Sequence, residues 1–244
     1  MTGASSGIGR ALAVALGRAG AHVVLIARRE RELHETAAAV DAAGGRTTVE
    51  VADVTETSRL VARMKALDDA LRGIDIVFAN AGVGAPSGEP QLWWEALEPA
   101  LATNLLGGAA TLTALLPRMI ARRRGHLVAI SSIASFGALP GCAAYCAPKA
   151  GLSMLTECLR MDLLGTGVAA SAVHVGFVRT PMVERTTFPM PMILEADEAA
   201  RHIVGRLPGA PATIDFPTPV AMAAKAIAAL PVSIRDAVAR RTKR

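Results

Sequence analysis

The sequence is short of the residues that most often announce a special chemistry. Aromatics make up 3% of its 244 residues, with one tyrosine, two tryptophans and five phenylalanines. A core must therefore be built from Ala, Val, Leu, Ile and Met, and a surface that stacks nucleic-acid bases on rings has little to work with. The three cysteines, Cys142, Cys146 and Cys158, form neither a CxxC pair nor an even set. That argues against a disulfide framework and a cysteine-ligated metal, leaving a reduced, cytoplasmic compartment as the default and no metal site. Uninterrupted apolar runs of about twenty residues are missing, so a membrane-spanning helix is not expected. Met1-Thr2-Gly3 shows no charged region followed by an apolar one, so a secretory leader is not expected either. The formal charge is +5, part of it in Arg122-Arg123-Arg124 and Arg240-Arg241-Thr242-Lys243-Arg244. Lacking interleaved aromatics, these runs read as solvated helix ends, where cations are favourable, rather than as a nucleic-acid or membrane patch.

What is present is an alternating pattern. Hydrophobic residues reach 52%, enough for one well-buried core. Ile8 to Ala19 has helical spacing and ends at Gly20, and His22 to Ala27 is a buried strand. Arg28 to Ala43 and Thr57 to Leu71 are helical, separated by the strand Thr47 to Ala52. Further strands are expected at Ile74–Phe78, His126–Ile130, Val168–Val175 and Ala212–Phe216. A helical region from Trp93 to Arg122 is expected to break near Pro99 and Pro117. A helix from about Ala144 to Leu164 should carry Pro148 in its first turn, and another spans Glu195–Arg206. Strands alternating with helices predict a single α/β domain over residues 1–244, a doubly wound parallel sheet with ligands at the C-terminal strand ends.

The densest stretch runs from Ser131 to Lys149. A hydroxyl pair, Ser131-Ser132, ends an apolar run, and Tyr145 stands four residues before Lys149. On a helix this spacing puts phenol and ammonium on one face. With one tyrosine and four lysines in the whole chain, the pairing points to chemistry. At the other end, Thr2-Gly3-Ala4-Ser5-Ser6-Gly7-Ile8-Gly9 runs straight into a helix, where glycines allow close backbone approach and free N–H groups suit an anion. A turn of this kind should follow a strand, yet only Met1-Thr2 precede it. The first central strand is thus truncated in this sequence. Losing four or five buried side chains at about 1.5–3 kcal/mol each would remove about a domain's whole net stability. The expectation is that the natural protein starts several residues upstream of Met1.

These segments, with Asp53-Val54, Asn80-Ala81-Gly82, Asn104 and Thr180, resemble the short-chain dehydrogenase/reductases in order and spacing up to about Met182. Asn80 and Asn104, the two asparagines of the chain, both fall on family positions. The resemblance implies a Rossmann-type fold and an oxidoreductase interconverting a carbonyl and a secondary alcohol. It implies Asn104, Ser132, Tyr145 and Lys149 as the catalytic set. Tyr145 would exchange a proton with the substrate oxygen, Ser132 would bind that oxygen, Lys149 would lower the phenol's pKa and hold a ribose, and Asn104 would hold a relay water. Gly3, Ser5, Ser6, Gly7, Ile8 and Gly9 would wrap the pyrophosphate. Asp53 and Val54 would take the adenine, Asn80, Ala81 and Gly82 its ribose, and Thr180 the carboxamide. Where an NAD site wants a carboxylate, this chain has Ala27-Arg28-Arg29, and Arg28 can pair with a 2′-phosphate, so NADP(H) is the expected cofactor. Val175-Gly176 departs from the family's usual Pro-Gly.

Residues 183–211 are expected to form a substrate lid. Phe188, Met182, Met190 and Met192 suggest a small apolar carbonyl or alcohol as partner, with no nucleic acid. Residues 218–244 form a helical tail, split at Pro231, expected to pack on a neighbouring subunit of a homo-dimer or homo-tetramer, to extend the lid, or to touch a membrane surface, in that order. The competing reading is a non-catalytic protein that binds NADP on the same fold for regulation or scaffolding. Binding alone needs neither Ser132 nor Tyr145.

Overall fold

The computed structural model describes residues 1–84, 93–183 and 190–242. The first half alternates α1 (Gly7–Arg18), β1 (His22–Ala27), α2 (Glu30–Ala42), β2 (Arg46–Val51), α3 (Thr57–Ala70) and β3 (Ile76–Ala79). Next come α4 (Trp94–Ala100), a π-helical stretch Leu101–Gly107, α5 (Gly108–Thr113), α6 (Leu116–Arg122), β4 (Gly125–Ser132) and α7 (Ala143–Asp162). The chain finishes with β5 (Val168–Val175), the short pair β6 (Val178–Arg179) and β7 (Leu194–Glu195), α8 (Ala196–Arg206), β8 (Thr213–Phe216), α9 (Thr218–Ala228) and α10 (Val232–Thr242).

The strand pairings are parallel, and the side chains alternate between two apolar layers. Leu25, Val128, Ile130 and Val173 face Leu12, Leu33, Val40 and Ile203 on one side. Val24, Ile26, Leu127 and Ala129 face Leu60, Met64, Leu112 and Leu152 on the other. This period of two, with both faces covered, is the physical content of a doubly wound sheet. The sheet is in two pieces, β2-β1 and β3-β4-β5-β8. Of the strand expected ahead of Gly3, Thr2 alone forms a bridge, to Ile26. Ile26 N–H donates to Met1 O at 2.9 Å and Thr2 N–H to Phe78 O at 3.1 Å, so a short piece of backbone joins the two halves at their C-terminal ends. Behind it, a cavity of about 460 Å³ lies between β1 and β3, lined by Val24, Ile26, Val77 and Phe78.

Several boundaries differ from expectation for local reasons. The helical region runs through Pro99 and changes to π geometry over Leu101–Gly107. Its real break is at Ala114–Leu115, and Pro117 then sits in the first turn of α6, where no intrahelical N–H is needed. Pro148 lies beyond the first turn of α7, which begins at Ala143. The run Trp94–Arg122 is long and apolar enough to cross a membrane by length and composition, but 44% of its most apolar window is buried inside the molecule. Leu112, Leu115 and Met119 of this run belong to the core.

Parts of the expected lid and tail pack against the body of the chain. Within 183–211, α8 is part of the sheet's cover, since Ala199, Ala200 and Ile203 are buried in the layer that contains Leu12. Residues 184–189, including Phe188, lie outside the described residues. α9 packs on its own chain, with Ala221 buried and Ala228 against Gly137 in the loop after β4.

The basic run at the end of α6 is bonded at Arg122, while Arg123 and Arg124 stay exposed as expected. Arg122 Nη1 donates to Asp68 Oδ2 at 2.8 Å, Arg123 Nη2 to Gly165 O at 3.1 Å, and Arg124 pairs with Asp75 at 2.9 Å. Asp68 is buried at the junction of α3, β3 and α6, where Oδ1 also accepts from Ile74 N at 2.7 Å and Oδ2 from Arg118 at 3.2 Å. Burial opposes its charge, but the hydrogen bonds from Arg122, Ile74 and Arg118 prevail and hold its carboxyl below the ordinary value. Replacing Asp68 with Ala leaves Arg122 without its carboxylate while Arg118 keeps Asp69, and urea melts at neutral pH should show a loss of about 1–3 kcal/mol. Because the native pKa is depressed, this contribution is present above the ordinary Asp value. The gap between wild type and variant should shrink as pH falls through the native pKa.

Candidate active site

The turn at the chain's start is held by the sheet it faces. Gly3 has φ +68°, and a Cβ there would lie 2.7 Å from Ala81 Cα. A Cβ on Gly9 would lie 2.2 Å from Gly3 O, so both positions exclude any side chain. Asn80 Nδ2 donates to Thr2 O at 3.0 Å and to Gly3 O at 3.1 Å, which clamps the turn onto the end of β3. The amide of Asn80 is thus committed to the turn, and the residue lines the cavity in front of it without a free donor for a ribose. α1 starts at Gly7 without a side-chain cap from Ser6, leaving the first-turn N–H groups and the positive end of the helix dipole for an anion.

At the end of β1, two arginines stand where an acid is missing. Arg28 Nη1 donates to Asp53 Oδ2 at 3.3 Å, while Asp53 Oδ1 accepts from Thr55 N at 2.9 Å and Thr55 Oγ1 at 2.8 Å. Burial opposes the Asp53 charge, but the bonds from Thr55 and then Arg28 hold its carboxyl below the ordinary value. Both carboxylate oxygens are therefore engaged within the protein. Arg29 was not singled out from the sequence, although it is the neighbour of Arg28. Its Nη2 donates to Ser5 Oγ at 2.9 Å and Ser6 Oγ at 2.7 Å, which puts a guanidinium directly over the turn.

The far end is built from β4 and α7. Lys149 Nζ donates to Ile130 O at 2.8 Å, Ser131 Oγ donates to Lys149 O at 3.0 Å, and the Ser132 hydroxyl bonds the Tyr145 phenol. Three successive strand residues thus grip one helical turn. Lys149 is buried, 5.9 Å from the centre of the Tyr145 ring, and burial alone lowers its pKa to about 8. The expected lowering of Tyr145 by Lys149 is not found. Burial pushes the phenol above its ordinary value, and the bond from Ser132 only partly offsets this. The ammonium is turned to the Ile130 carbonyl and does not reach the phenol oxygen.

Asn104 is buried in the π-helical stretch, where Oδ1 accepts from Val83 N at 2.8 Å and Nδ2 donates to Val83 O at 3.0 Å. Its side chain pins the segment after β3 rather than pointing at Lys149. Gly82 separates the two, since a Cβ there would lie 3.2 Å from Asn104 Oδ1 and 3.6 Å from Lys149 Nζ.

One cavity of about 290 Å³ joins these parts along the C-terminal ends of the strands. It is lined by the turn residues Gly3, Ser5, Ser6, Gly7, Ile8 and Gly9, by Arg28 and Arg29, and by Asp53 and Val54. Asn80, Ala81, Gly82, Tyr145, Lys149 and Thr180 complete the lining from the other side. Ser132 reaches it through Tyr145, and Asn104 stands behind its wall. A glycine cradle at a helix start, cations at one end and a phenol with a lysine at the other fit an elongated anion with a reactive ring at its far end. Among the described residues, no group of three or more His, Cys, Asp or Glu side chains is placed to hold a metal ion.

Comparison with known proteins agrees with this geometry. The family model described as short chain dehydrogenase matches residues 1–189. An uncharacterized oxidoreductase of Myxococcus xanthus is 41% identical over 243 residues, covering all of this chain and 96% of its own. A short-chain dehydrogenase from Sphingobium yanoikuyae, solved in complex with NADPH, superposes with a TM-score of 0.82 at 28% identity, covering 98% of this chain and 93% of its own. A short-chain dehydrogenase from Mycobacterium paratuberculosis bound to NAD has a TM-score of 0.80 at 26% identity, covering 91% and 96%. The strand-end cavity, the clamped glycine turn and the match over most of its length make this chain an oxidoreductase of the short-chain dehydrogenase family.

Proposed function

We propose that the protein is an NADP(H)-dependent oxidoreductase that interconverts an apolar carbonyl compound and its secondary alcohol, with Tyr145 as proton donor and acceptor. The observation that carries this reading is the grip of β4 on Tyr145 and Lys149 at the end of a cavity whose other end is cationic. The bound nicotinamide would supply or accept the hydride. The glycine turn and the start of α1 would hold the pyrophosphate. Arg29, with Arg28, would hold a 2′-phosphate, and no carboxylate follows β1 directly to repel it. The solved relatives bound to NADPH and to NAD leave both cofactors within the family's range.

A phenol held above its ordinary pKa keeps its proton at neutral pH, which suits donation to a carbonyl oxygen during reduction. Ser132, already bonded to that phenol, would donate to the same oxygen as negative charge develops. Lys149 would stabilise the phenolate left behind, provided it turns from Ile130 O toward the ribose and phenol. Met182, which lines the cavity, supports an apolar substrate. Exposed Met154, Met161 and Leu164 on and just after α7 support assembly as a homo-dimer or homo-tetramer.

Replacing Tyr145 with Phe should abolish turnover of any ketone active with the wild type while leaving NADPH binding, followed by cofactor fluorescence, within about twofold. Persistent activity would sink the mechanism. Arg29→Ala should reduce the NADPH-to-NADH preference in kcat/KM by about ten- to a hundredfold, the worth of a charge-assisted pair; a wild type that prefers NADH would refute the cofactor assignment. The kcat/KM for reduction should fall as pH rises through about 8, where Lys149 loses its charge. Because the chain has one tyrosine, its ultraviolet titration reports Tyr145 alone. The midpoint in the free protein should lie above the ordinary phenol value, and Ser132→Ala should raise it further.

A further inference from the structure

A row of polar side chains crosses the sheet beneath α7 and has no part in the chemistry above. Ser131 on β4 is the register partner of His174 on β5, and His174 is the register partner of Asp215 on β8. His174 Nδ1 stands 2.7 Å from Asp215 Oδ1, and Nε2 stands 3.2 Å from Ser153 Oγ on α7. Ser153 Oγ is 2.7 Å from Ser131 Oγ, which reaches Lys149 O at 3.0 Å. At the outer end, Lys225 of α9 pairs with Asp215 Oδ2 and lies over the Phe136 ring, 4.8 Å from its centre, while Phe136 packs on His174 at 4.6 Å. His174 is 5% exposed, so the row is an interior network, not a surface ion pair.

We propose that His174 is a positioning residue: through Ser153 and Ser131 it fixes where α7 holds Tyr145 and Lys149 against the end of β4, and through Asp215 it ties that position to α9. The inference rests on the reading of Tyr145 and Lys149 as the working pair.

The proton count sets how tightly the row can close. The contacts from Lys149 O to Asp215 number four, whereas two serines and a neutral imidazole carry three hydrogens. A neutral ring donates through Nδ1 to Asp215, its strongest acceptor, and takes the Ser153 hydrogen at Nε2. Ser131 then has one hydrogen for two acceptors, Ser153 Oγ and Lys149 O, and one of these contacts goes unfilled. An imidazolium donates to Ser153, which can donate to Ser131, so that all four contacts are filled. The groups that bias this choice are Asp215 from β8, Lys225 from α9, Ser153 from α7 and the Phe136 ring. Burial disfavours the imidazolium most strongly, Asp215 favours it and Lys225 opposes it. The row thus gives α7 a fixed seat whose last bond depends on the far end.

The single tyrosine makes this testable without a substrate. Ser153→Ala should move the ultraviolet midpoint of Tyr145 upward by about half a unit or more, because a loosened α7 weakens the Ser132–Tyr145 bond. It should also lower kcat by about ten- to a hundredfold with NADPH binding retained, while Ser153→Thr, which keeps the hydroxyl, restores both. Lys225→Met, a half-exposed site that does not threaten folding, should move the midpoint downward, because losing the cation favours the imidazolium that completes the row. Thr156→Ala removes another buried hydroxyl of α7, bonded to Leu152 O, and should leave the midpoint unchanged. The proposal is overturned if both Ser153→Ala and Lys225→Met leave the midpoint at the wild-type value, or if Thr156→Ala moves it as far. If the wild type turns over no carbonyl, the functional reading fails, but the midpoints still decide whether His174 and Ser153 position Tyr145.

Discussion

The grip of β4 on α7 is the constraint on which the rest of the site depends. Ile130, Ser131 and Ser132 each bond one group of the Tyr145–Lys149 turn: an ammonium, a backbone carbonyl and a phenol. The consequence is electrostatic. Lys149, drawn into the protein by Ile130 O, loses solvation and basicity, and Tyr145 keeps its proton more tightly than a free phenol.

The other end of the cavity is held by the first residues of the described chain. Between the two pieces of the sheet, Met1 and Thr2 supply the few backbone bonds that join Ile26 to Phe78. Asn80 and the Thr2 hydroxyl reinforce that junction from the β3 side. These bonds together hold the glycine turn against the ends of β1 and β3. The cavity behind it removes packing partners from Val24, Ile26 and Val77.

The architecture and much of the site were legible because they rest on local rules. Alternating apolar runs and helical spacings predict the doubly wound sheet, and the glycine turn and the Tyr145–Lys149 spacing identify both ends of the cavity. Roles that depend on a partner distant in sequence were harder to read. Asp53 carries a carboxylate suited to an adenine amine, and its bonds to Thr55 and Arg28 could not be read from the spacing. Asn104 and the Asn80 Nδ2 group also bond Val83 and the glycine turn, contacts that only the fold brings about. Arg29 differs from Arg28 by one position on the chain, and only the turn's proximity to the end of β1 selects it for Ser5 and Ser6. Arg122 reads as solvated because its partner Asp68 lies about fifty residues away along the chain.

By itself, the sequence determined the order of elements, the two faces of the sheet and the identity of the residues that can accept or donate a proton, since periodicity and side-chain chemistry are properties of short segments. Tertiary structure decided which of those groups are free and what their pKa values are. Burial and hydrogen bonding are set by strands brought side by side, and the row Ser131–His174–Asp215 exists only because three distant strands stand in register.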